Sequence, residues 1–157
     1  MASIADAAVE ASGDDFNIFI PMLNSFGALG KQEAVRNVRQ RFTGALERHL
    51  QQVPEDARAR ILLAGNYAEM GRLEEAGREA NLAMTLRPNE ATVLYNAACA
   101  FCSMKKKPEA LDALRKAWDA GFRDADWARR DPDLSLLHGE PEFERLYPEK
   151  PASKATA

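Results

Sequence analysis

PEDARARILLAGNYAEMGRLEEAGREANLAMTLR (residues 54–87) and PNEATVLYNAACAFCSMKKKPEALDALRKAWDAG (residues 88–121) are consecutive segments of thirty-four residues, each opened by a proline. Aligned on Pro54 and Pro88, their key positions match one for one. Counting the third residue after each proline as position one, Ala64 and Ala98 share position eight, Tyr67 and Phe101 position eleven, Ala76 and Ala110 position twenty, and Ala83 and Ala117 position twenty-seven. Small residues recur where helices must touch, because a large side chain at position eight would push the first helix of a pair off the second. Gly71 and Lys105 mark the turn between the two halves of each segment. The repeat has a packing cause: it is a helix pair that buries its apolar face on copies of itself.

A third, more degenerate copy lies upstream and is found from its turn. Phe26, Leu29, Gly30 correspond to Tyr67, Met70, Gly71 and to Phe101, Met104, Lys105. From Phe26 to Tyr67 is forty-one residues rather than thirty-four, so seven extra residues fall between Gly30 and Pro54. Seven residues add roughly 10 Å of helix and return the apolar face to nearly the same direction, which predicts a long helix over 31–52. The helix before it spans 15–29, with Phe16, Phe19, Leu23 and Phe26 at helical spacing. Pro21 either kinks it or starts it after an extended FNIFI lead-in. Further on, Glu55 or Asp56 caps a helix over 57–70, Leu73 to Leu86 forms its partner, and Ala91 to Met104 is the next first helix. Pro108 stands at the start of the last repeat helix and Gly121 ends it. Lys105, where the other turns carry glycine, costs about 1 kcal/mol if left-handed.

After Gly121 the pattern changes to FRDADWARRDPDLSLLHGEPEFERLY (residues 122–147). Asp126, Asp131 and Gly139 or Glu140 precede short helical pieces, and Pro132 and Pro141 start them. Trp127, Leu134, Leu137, Phe143 and Leu146 are expected to bury against Trp118 and Phe122, covering the end of the stack. Residues 1–14 read as an acidic disordered tail or linker remnant, and 148–157 as a frayed tail. The expected fold is all-α: a right-handed helical solenoid of three helix pairs (15–53, 57–87, 91–121) with a helical cap (122–147).

The chain has 157 residues, 46% hydrophobic and 29% charged, which fits one soluble domain. A net charge of −3 argues against a nucleic-acid binder. Lys105 to Lys107, and Arg36, Arg39 and Arg41 on the long helix, read as solvated surface. No apolar run approaches the ~20 residues of a membrane span. The N-terminus carries Asp6, Glu10, Asp14 and Asp15 and no basic residue before an apolar stretch, unlike a secretory signal. The two cysteines, three apart, offer no disulfide framework, so a reducing, cytoplasmic location is expected.

With this register, GNYAEMGRLEEAGREANLAMTLRPN and VLYNAACAFCSMKKKPEALDALRKAWDAGF resemble tetratricopeptide repeats, with Arg60 replacing the usual tryptophan at position four. The ending, a glycine and an aromatic followed by DWARRDPDLSLLHGEPEFERL, is similar to the segment that closes repeat arrays in bacterial class III adenylate or guanylate cyclases and serine/threonine kinases. The long helix followed by EDARAR resembles those arrays too. The likeness covers roughly residues 16–147. In such proteins the array follows a catalytic domain, so the resemblance implies either a free-standing array or the regulatory C-terminal segment of a larger signalling enzyme.

Stacked repeats of this kind curve, and the first helix of each pair lines the concave side, where peptides or partner helices dock. Positions two, five, nine, twelve and thirteen face inward: Arg58, Ile61, Gly65, Ala68 and Glu69 in one copy, Thr92, Tyr95, Cys99, Cys102 and Ser103 in the next. This lining is small and mostly neutral, with Arg58 alone among the cations that grip a peptide carboxylate in some relatives. It suits an apolar or aromatic ligand element, or another helix such as the N-terminal tail folding back. The expected partner is a protein or peptide, or a catalytic domain in a parent polypeptide.

Cys99 and Cys102 form a C-x-x-C that would serve a thiol oxidoreductase, yet they lie in mid-helix, away from the helix N-terminus that lowers a thiol pKa. Zinc needs four ligands, and His49 and His138 belong to distant segments, so no metal or other cofactor is expected. Charged residues such as Glu75, Arg78 and Glu79 read as surface partners. There is no nucleophile–base constellation and no phosphate-binding loop. The expected function is a non-catalytic protein-interaction module.

Overall fold

A computed structural model describes Ala7 and residues 15–149. The tails expected at 1–14 and 148–157 lie outside the described residues apart from Ala7, Pro148 and Glu149. Every regular element among the described residues is helical. A 3-10 turn, Phe16–Ile18, leads into α1 (Phe19–Ala28); then come α2 (Gln32–Gln52), α3 (Ala57–Glu69), α4 (Leu73–Leu86), α5 (Ala91–Ser103) and α6 (Lys107–Asp119). The last part holds α7 (Ala125–Arg130), a 3-10 segment (Pro132–Leu137) and α8 (Pro141–Leu146).

The elements follow from local chemistry. Asp56, not Glu55, caps α3 by accepting from the Ala59 amide at 3.0 Å. Tyr67 O, Phe101 O and Ala117 O each accept a backbone N–H five residues on, at 2.8, 2.9 and 2.9 Å, which closes the helix end around a left-handed residue. That residue is Gly71 in one turn (φ 77°) and Lys105 in the next (φ 58°), as the register requires. The lead-in to α1 is a 3-10 turn rather than an extended segment. Asp15 caps the 3-10 turn, and Pro21 falls in the first turn of α1, where its missing N–H leaves no bond unmade.

Within the repeats the small residues are where the packing argument puts them: Ala64, Ala76, Ala83, Ala98, Ala110 and Ala117 have no exposed surface. Tyr67 and Phe101 are buried. The tightest associations are α3 with α4 and α5 with α6, and α3 also lies along α5. The first pair joins through α2, which packs on α3, while α1 lies chiefly on α2 and has no comparable packing with α3. Tyr67 Oη donates to Glu47 Oε1 at 2.6 Å and Arg72 stacks on its ring at 4.1 Å, tying α2 to the second pair. Arg60, in place of the tryptophan, reaches Glu79 at 2.6 Å, while Glu75 pairs with Arg72 and Arg78 with Glu74.

Residues 122–147 close over the third pair. Leu134, Leu137, Phe143 and Tyr147 are fully buried, and Leu146 nearly so. Tyr147 meets Trp118 edge-on at 5.4 Å and donates to Phe122 O at 2.9 Å. Arg129 holds Glu144 at 2.7 Å and Tyr147 O at 2.6 Å. Trp127 does not join this core: it is 56% exposed, beside Arg130 and Pro132. The reason is the cap of α7. Asp124, two residues before the expected Asp126, accepts from Trp127 N at 2.9 Å, and that start rotates the short helix so that Ala128 faces inward.

Candidate functional site

Where α1 stands apart from α3, a groove of about 460 Å³ opens. Its walls are Ile20, Leu23 and Asn24 of α1, Arg39 and Phe42 of α2, and Ile61, Gly65, Asn66 and Glu69 of α3. Asn96, Cys99 and Ser103 of α5 form the far side, and Asp133 stands at the end that adjoins residues 122–147. The lining mixes apolar floor with a polar lip. Gly65 keeps the α3 wall low, and a Cβ built there meets nothing within 4 Å.

Asn66 is the unusual residue of this groove. It is 3% exposed, in mid-helix, at a position where the next repeat has Ala100. Arg39 Nη1 donates to its Oδ1 at 3.0 Å, linking α2 to α3, while its Nδ2 is buried with no acceptor. Arginine only donates, so the amide orientation is fixed by Arg39 and the unpaired atom is the N–H end. An unmet buried donor costs about 1–3 kcal/mol, so the sequence keeps a destabilising group at this point of the groove.

The groove brings together only part of the residues that the inward positions suggested. Ile61, Gly65, Glu69, Cys99 and Ser103 line it; Arg58, Ala68, Thr92, Tyr95 and Cys102 do not. Arg58 is spent on the chain's own beginning, donating to Asn17 Oδ1 at 2.7 Å and lying 5.7 Å over the Phe16 ring. Thr92 is exposed and Ala68 buried. Tyr95 is covered: its ring stacks on Phe122 at 4.0 Å, and its hydroxyl donates to Asp131 Oδ2 at 2.7 Å. The docking role expected for Tyr95 is therefore corrected, because residues 122–147 already occupy that part of the inner face.

The cysteines sit under the same cover. Burial, followed by the negative charge of Asp131 and Asp133, pushes the Cys99 thiol far up; burial, with Asp133 and then Asp131, pushes Cys102 up to about 12. Both are free thiols, and their environment disfavours the thiolate that exchange chemistry needs. Cys99, Asp131 and Asp133 do place three possible ligand atoms within 4.8 Å of one another. Three donors fall short of a tetrahedral set, and Asp131 is already engaged, Oδ2 by Tyr95 and Oδ1 by the Asp133 amide. The cluster is a latch joining the 3-10 segment to α5.

Sequence reasoning passed over Arg39, Asn66, Asp131 and Asp133 as groove residues. Asn66 had a signal: an amide at position ten, on a helix whose neighbours on that face are apolar. Asp131 and Asp133 were legible as helix-start residues, and nothing local says that their carboxylates turn toward α5.

No protein-family profile matches the chain. A stretch of 83 residues, 51% of this chain, is 34% identical to a chloroplastic protein of Arabidopsis thaliana. The match spans 25% of that protein, so the chain corresponds to about a quarter of the curated relative. No helix among the described residues is long and apolar enough to cross a membrane.

Proposed function

We propose that this chain is a non-catalytic protein-interaction module, a tetratricopeptide-like solenoid of three helix pairs that receives a peptide or helix of a partner in the groove between α1, α3 and α5. The observation that carries the reading is the groove itself: apolar walls, a low glycine rim and a buried amide donor without an acceptor, on the face lined by the first helices of the pairs. Concave helical surfaces of this kind serve recognition by packing and a few placed polar groups. The two free thiols, Cys102 buried and Cys99 partly so, suit the reducing cytoplasmic setting that belongs to the same proposal.

Gly65→Trp tests it. The open space around Gly65 lets the indole fill the groove without displacing the backbone, so the melting temperature should hold. A partner captured by the wild-type chain in a pull-down from its native lysate should be lost with this variant. Equal capture by both would move the binding surface elsewhere.

A further inference from the structure

We infer that the groove selects a basic peptide segment, a lysine or arginine of the partner seating between Glu69 and Asp133 while the peptide backbone brings a carbonyl to Asn66. The inference rests on the proposed function and specifies the chemistry of its ligand. Three features of the groove support it independently.

The first is the amide. Asn66 lines the groove, its Oδ1 is committed to Arg39, and its Nδ2 has no acceptor. A ligand carbonyl supplies what the folded chain lacks. Because Nδ2 is enclosed, the acceptor reaches it with a small outward swing of the amide, and the unmet donor is what favours that swing.

The second is charge. Glu69 and Asp133 line the groove, and neither has a salt-bridge partner among the described residues. Burial, then the charges of Asp131 and Glu69, raises the Asp133 carboxyl, with Arg39 opposing. Arg39 donates to the neutral Asn66 amide and keeps its charge, so the two carboxylates of the lining outnumber its cation. A bound ammonium or guanidinium relieves the repulsion between these carboxylates, whereas a peptide carboxylate adds to it.

The third is the floor. Ile20, Leu23 and Ile61 give an apolar path beside the acidic lip. Lysine and arginine carry aliphatic stems that cover such a path while their charged ends reach polar groups.

The experiment is a selection of randomised twelve-residue peptides on the full chain, run in parallel on wild type and on Gly65→Trp. Peptides recovered on wild type alone should be enriched in lysine and arginine. The best of them, measured by fluorescence anisotropy at low salt, should lose about fivefold in affinity to the double variant Glu69→Gln/Asp133→Asn, with the difference shrinking at high salt. A wild-type-specific pool that is neutral or acidic overturns the inference and leaves the groove as a docking site. A basic pool whose affinity ignores the double variant overturns the seat between the two carboxylates. Failure to recover any wild-type-specific peptide overturns the groove reading along with it.

Discussion

The second helix pair and the third leave corresponding faces of their first helices in different states. On α5 the part of that face around Tyr95 is taken: Phe122 lies on Tyr95, Asp131 accepts its hydroxyl, and the 3-10 segment packs along the helix. On α3 the corresponding face is open, with Gly65, Asn66 and Glu69 lining a groove that α1 fails to fill. The repeats alone do not decide which part of the face is available. What decides it is the chain that follows, which satisfies one end with an aromatic ring and a carboxylate and leaves an unpaired amide at the other. The covered end is also a worked example of how this surface takes an occupant.

The comparison is broken most severely by removing everything after Gly121. That truncation strips Leu134, Leu137, Phe143 and Tyr147 from the third pair and exposes Tyr95 and Trp118, so sedimentation should show self-association. A monomer with an unchanged melting temperature would mean that residues 122–147 do not cap the array. Next in size, Tyr147→Ala should cost about 3–5 kcal/mol in denaturant unfolding, since the ring is fully enclosed. The half-buried Phe26, at the open end, should cost under about 2 kcal/mol by the same measurement. Equal losses would show that the first pair is as closely packed as the segment that closes over the third.

Smaller changes sharpen the contrast. Asp131→Ala leaves the buried Tyr95 hydroxyl without its acceptor and should cost about 1–3 kcal/mol, while making Cys99 react faster with a thiol reagent. Lys105→Gly should raise stability by about 1 kcal/mol, because lysine there holds a left-handed backbone that glycine adopts freely. Trp127→Ala should change stability by no more than about 0.5 kcal/mol. A larger loss there would mean that its exposed ring is covered in solution.

The helices were legible because their cause is local and repeated. Alanine at positions eight, twenty and twenty-seven, an aromatic at eleven and a left-handed residue at the turn place the second and third pairs within a residue or two. The seven extra residues place α2 as well. Trp127 escapes such reasoning because hydrophobicity says that a side chain prefers burial but not which way a six-residue helix is turned, and here Asp124 sets that. The site was less legible for a related reason. Inward positions name the residues that face the axis of a stack, whereas Tyr95 is hidden by residues twenty-seven and thirty-six places later, Phe122 and Asp131. Contacts of that range leave no periodic trace.

The enclosed Tyr147 also sets an order of events. Its partners Trp118 and Phe122 are made first, and Tyr95, which the same segment covers, is made fifty-two residues earlier (147 − 95). A ribosome adding ~5–20 residues per second leaves that inner face wet for several seconds while the helix pairs, built from local contacts, are already able to form. During synthesis the chain therefore passes through a stage in which the faces of α3 and α5 are both open, and the arrival of the closing segment, fastened last at Tyr147, makes them different.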